Sequence, residues 1–171
     1  MTRHPRSRIG RRPSTFRRQA VPIVMVLLGS MMTLLPAVMT APIMPPFGLV
    51  MFLAWRALHR NLWLPWMGLP LGLIDDFFSG APIGTAMVLW TLILLGFDML
   101  DRRFVWRDDR QEWAIAATAI AFYLIFAFEI GGGAHTIYGP LLLVPQILMA
   151  MLFFPLAMRL CDKLDRWRLR V

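Results

Sequence analysis

Two adjacent carboxylates, Asp75 and Asp76, lie within an apolar stretch that begins near Leu62, and a third, Glu129, lies within another. A charge in the hydrocarbon core of a bilayer costs at least about 2.5–3.5 kcal/mol, so such a group faces a partner or a wet cavity. Two neighbouring carboxylates have the chemistry to ligate a cation, to bind a ligand or partner, or to bond across helices. Counted along helices from Leu62 and Trp113, the aspartates stand roughly 20 Å and Glu129 roughly 24 Å up their axes. These depths predict a shared polar pocket open to the outer face, with His135 in the glycine-rich loop after residue 130 close by. Serving as interhelical glue near the outer headgroups is the plainer role for the same acids.

The glycines around the aspartates predict how they are held. Gly68 and Gly72, and then Gly80 and Gly84, give two small-xxx-small spacings, which allow helix backbones to approach closely in lipid. On a helix, Gly72 shares a face with Asp75 and Asp76, so the acids should point at another helix. The segment breaks at Ser79-Gly80-Ala81-Pro82 before a further apolar run.

Catalytic patterns are absent. The chain has no HExxH, GxSxG or GxxxxGK[ST] motif, and no Ser/His pair at a common depth. We therefore expect no enzyme activity and no cofactor. The single cysteine, Cys161, rules out an internal disulfide, and no Cys/His cluster suggests a metal site.

The elements that must position the acids are membrane helices. Of the 171 residues, 58% are hydrophobic, and most fall in runs long enough to cross about 30 Å of hydrocarbon. The predicted fold is all-α and polytopic, with spans at roughly 20–41, 44–58, 62–79, 83–100, 113–131 and 138–158. Pro45 and Pro46 crowd the start of the second span, and Pro65 and Pro70 interrupt the third, which marks kinks or partial re-entrance. Residues 1–19 read as a disordered basic tail suited to anionic lipid headgroups. Residues 20–158 form the membrane domain, and residues 159–171 read as a basic amphipathic extension lying on the inner surface.

All 18 Lys and Arg residues fall in the N-terminal tail, at Arg56 and Arg60, at Arg102 to Arg110, or after residue 158. The connections between these basic sites hold none. This alternation predicts six spans with both termini in the cytoplasm. It also accounts for the net charge of +8 without nucleic acid, because the basic residues form no single surface. Trp63, Trp66 and Trp113 fall near inner helix ends, where indoles favour the headgroup level. Asp98 and Asp101 read as solvated ion pairs with Arg102 and Arg103, Gln146 as an interhelical hydrogen-bonding group, and His4 and His59 as isolated edge residues.

Gly72, Asp76, Gly80, Pro82 and Gly84, with Pro46-Phe-Gly and the Trp55 segment before them, resemble the rod-shape-determining membrane protein family MreD. Asp75 is an extra acid relative to that pattern. The resemblance implies a non-enzymatic scaffold of the bacterial cell-wall elongation complex in the cytoplasmic (inner) membrane. The implied partners are a bitopic MreC-like protein, the actin-like MreB filament, and the elongation glycosyltransferase and transpeptidase. It also implies a fold like the substrate-binding subunits of energy-coupling-factor vitamin transporters. That likeness supplies the competing expectation, a subunit that binds a vitamin or cation for transport.

Overall fold

In the computed structural model, residues 15–34, 44–103, 108–132 and 139–170 are described. They form six α-helices: α1 (Thr15–Met31), α2 (Phe47–Leu58), α3 (Gly68–Ser79), α4 (Thr85–Arg103), α5 (Asp109–Ile130) and α6 (Gly139–Arg170). Short 3₁₀ turns at Met32–Leu34 and Pro65–Met67 adjoin α1 and α3. No strand occurs among the described residues, so the all-α expectation holds. The expected tail as far as residue 14, the end of the first span at 35–41, Arg107, His4 and His135 lie outside the described residues.

The prolines of the second expected span stand at its start, as the sequence suggests, and those of the third start elements instead of interrupting them. Pro46 precedes α2 and its carbonyl accepts from Val50 N–H at 3.0 Å. Pro65 opens a 3₁₀ turn, and Pro70 sits in the first turn of α3, where a missing N–H leaves no intrahelical bond unmade. As a result α2 and α3 have 12 residues each, about 18 Å of helix. The last helix departs the other way. It continues for 32 residues, so the basic segment after residue 158 is the last part of α6, in which Cys161 and Asp165 are buried.

Close packing is densest between α3 and α4. A Cβ added at Gly72 would lie 2.6 Å from the carbonyl carbon and oxygen of Ala86, and one at Gly68 would lie 2.8 Å from Thr91 N. The same device joins α1 to α2, where a Cβ at Gly29 would lie 2.9 Å from the Phe47 carbonyl oxygen. Gly80 and Gly84 are different. Open space surrounds both, and both have positive φ, +67° and +100°. Gly80 ends α3 in the left-handed conformation, which favours glycine. The first glycine pair therefore serves contact, and the second serves the turn.

This division yields a first prediction. Gly72→Ala should lower stability by roughly 1–3 kcal/mol, because its methyl meets helix backbone that cannot rotate away. Gly80→Ala should cost about 1 kcal/mol through backbone strain alone. Thermal unfolding of the detergent-solubilised variants measures both, and equal melting temperatures for Gly72→Ala and the parent would refute the close approach.

An aromatic stack fills the centre. Trp63 stacks on Phe52 at 5.2 Å between centroids, and Phe52 on Trp90 at 4.9 Å. Trp63 is buried and donates from Nε1 to the Phe52 carbonyl, so it packs in the core. Trp55 and Trp90 are fully buried with it, whereas Trp66 and Trp113 are exposed.

Candidate functional site

The two aspartates point in different directions and have different partners. Asp75 is buried where α1, α2, α3 and α5 meet. Its Oδ1 accepts from Ser30 Oγ of α1 at 2.5 Å, and its Oδ2 from the Tyr123 hydroxyl of α5 at 3.5 Å. Gly48 of α2 leaves the room this requires, since a Cβ there would lie 2.6 Å from Asp75 Oδ1. Thr33 Oγ1 donates to the Ser30 carbonyl at 2.6 Å and to the Phe78 carbonyl at 3.3 Å, closing the end of α1 onto α3.

Asp76 is a cap for a neighbouring helix. Oδ2 accepts from Gly84 N–H at 2.8 Å, Oδ1 from Ala86 N–H at 2.8 Å, and Met87 N–H lies 3.4 Å from Oδ2. These are first-turn donors of α4, which have no partner within their own helix. A carboxylate there also meets the positive end of the helix dipole. Ordinary caps come from the residue just before the helix; this one reaches across from α3. Thr85 adds a local bond, donating from Oγ1 to the Pro82 carbonyl at 2.8 Å. Gly72, Asp76, Gly80, Pro82 and Gly84 therefore act as one device that folds α3 onto α4.

Beside Asp75 lies a cavity of about 220 Å³ whose lining includes Thr33, Ser79, Tyr123 and Gln146. Gln146 anchors α6 there, its side-chain amide donating to the Met44 carbonyl at 2.8 Å. Glu129 does not line this cavity; its residue is exposed at the end of α5. Of the three acids whose depths allow a shared pocket, only Asp75 lines this cavity; Asp76 is buried against α4, as an interhelical role requires, and Glu129 is exposed. No cluster of three or more His, Cys, Asp or Glu suited to a metal occurs among the described residues.

Compared with protein-family models, curated proteins and solved structures, the chain matches none of them.

At the opposite end of the bundle, polar side chains of α2 and of the two residues after it meet three helices. Arg56 is 2% exposed and pairs with Asp101 and, at 3.4 Å, with Asp98, both on α4. Its guanidinium lies over the Phe97 ring, 5.5 Å from the centroid. Arg60 pairs with Glu112 of α5 at 3.1 Å, and His59 Nε2 lies 3.1 Å from Asp165 Oδ2 of α6. Asp98 and Asp101 are therefore interhelical partners of Arg56, not solvated pairs with Arg102 and Arg103, and His59 is not isolated. Sequence reasoning missed Ser30, Tyr123 and Arg56 as site residues. The signal for Arg56 was its place one turn inside an apolar helix, with two acids 42 and 45 residues further on.

Proposed function

We propose that this chain is a multi-pass scaffold of the bacterial cell-wall elongation machinery, crossing the inner membrane six times with both ends inside. The observation that carries the reading is the use of Asp76. The acid of the MreD-like stretch is taken up by backbone donors of α4, as a structural role requires. Arg110–Ile130 and Leu143–Trp167 are long and apolar enough to cross a membrane. Exposed Val88, Leu92, Leu95 and Met99 on α4, with Leu141, Val144, Leu148, Leu152 and Leu156 on α6, make apolar outer faces that water would not tolerate over such an area. The short α2 and α3 fit a bilayer when flanked by longer neighbours, because non-helical backbone at membrane depth is tolerated where it packs on protein or meets a wet cavity. The ion pairs of α2 gather at the end where the arginine alternation puts the cytoplasm. In this role the protein would act beside an MreC-like bitopic protein, the MreB filament, and the glycosyltransferase and transpeptidase of elongation.

Topology is tested by cysteine labelling in a Cys161→Ala background. Ala81→Cys should react with an impermeant maleimide added to intact spheroplasts, and Asp108→Cys should not. Reaction at position 108 would defeat the six-span arrangement.

The cavity beside Asp75 favours one rival, a subunit that binds a small solute for transport. Asp75→Asn separates the two, because it keeps the acceptor for Ser30 while removing the charge. In a strain that depends on this copy, the scaffold reading expects Asp75→Asn cells to stay rod-shaped and to retain the MreC-like partner on co-purification. Depletion of the chain should round the cells. Rods that survive depletion while uptake of a solute is lost would overturn the scaffold.

A further inference from the structure

A second cavity, of about 660 Å³, opens between α2, α5 and α6 at the end of the bundle that holds the α2 ion pairs. Its volume is that of a small-molecule site. One wall is apolar, formed by Leu58, Phe154 and Met158, and the rim is charged. Both acids of the rim are already engaged, Glu112 by Arg60 at 3.1 Å and Asp162 by Arg166 at 2.7 Å. Arg159 remains, exposed on the rim with no carboxylate partner among the described residues. Trp113, 45% exposed, flanks the opening from α5. An apolar trough that ends at a free guanidinium and an indole complements an amphiphile with an anionic head. Basic pockets between membrane helices hold such lipids, and indoles settle at headgroup depth.

We propose that this groove is a binding site for one anionic glycerophospholipid, with its phosphodiester on Arg159 and an acyl chain along Leu58, Phe154 and Met158. This goes beyond a diffuse attraction of basic tails to the membrane, because one residue and one groove carry it. The site requires that these helices stand in a bilayer and is independent of any cell-wall partner, so its failure and the scaffold's are separately visible.

The test is native mass spectrometry of the full chain released from nanodiscs containing equal phosphatidylglycerol and phosphatidylethanolamine. The parent should retain one phosphatidylglycerol in preference to phosphatidylethanolamine. Arg159→Gln should lower that retention about fivefold, the worth of one basic residue near a lipid headgroup. Arg159→Lys should restore most of it, and Arg103→Gln, which removes an exposed arginine on α4, should leave it unchanged. Equal retention of the two lipids would overturn the site. So would an unchanged Arg159→Gln, an Arg159→Lys no better than Arg159→Gln, or an Arg103→Gln that loses as much.

Discussion

Asp76→Leu should abolish stable folding of the α3–α4 pair. The N–H of Gly84, just before α4, and that of Ala86 in its first turn would lose an acceptor at 2.8 Å, and Met87 would lose a weaker one. Each buried donor left unsatisfied costs about 1–3 kcal/mol, more when the lost partner was charged. The combined loss of roughly 2–6 kcal/mol is comparable with the whole margin of a small domain. Asp76→Asn should be milder. It keeps one acceptor oxygen but turns an amide NH₂ toward a helix N-terminus that repels donors. Folded yield and melting temperature in mild detergent should therefore rank parent, Asn, Leu, with Leu recovered mainly as aggregate. An Asp76→Leu protein that melts with the parent would remove the cap from the account. Asn and Leu falling equally would mean that the charge matters more than the acceptor.

Arg56→Leu is expected to be nearly as severe, for a different reason. The side chain is 2% exposed and faces Asp98 and Asp101, which are 34% and 21% exposed. Removing one partner of a buried pair costs about 3–5 kcal/mol, because the remaining charge is left uncompensated. The partial exposure of both acids reduces this, so roughly 2–4 kcal/mol is the expected loss. Adding Asp98→Asn to Arg56→Leu should recover part of the stability, since an acid that faced the arginine goes with it. Arg60→Leu, whose side chain is 36% exposed, should cost less than 1 kcal/mol. A double variant no more stable than Arg56→Leu would show that the Asp98 charge is not what Arg56 offsets, and that its packing on Phe97 matters more.

The helical class and the approximate places of the helices were legible from hydrophobic runs alone, because an apolar run long enough to bury its backbone bonds must make them internally. The meaning of Gly72 was also legible, since its spacing from Gly68 puts both on the face that meets α4. Gly80 and Gly84 share that spacing and do something else. Sequence spacing does not reveal a backbone angle, and only the turn decides that both adopt positive φ. Asp75 and Asp76 are adjacent and chemically identical, yet neighbours on a helix point about 100° apart. One therefore meets Ser30 and Tyr123 from α1 and α5, and the other meets the first turn of α4. Depth along an axis suggested that Glu129 joins them, but depth leaves rotation about that axis free, and packing turned Glu129 outward. Arg56 shows the same limit at the other end. Its charge was plain in the sequence, but its partners 42 and 45 residues away exist only because α2 and α4 lie side by side. Composition and periodicity determined what each segment is; which face meets which neighbour was decided by tertiary packing, because that choice depends on all six helices at once.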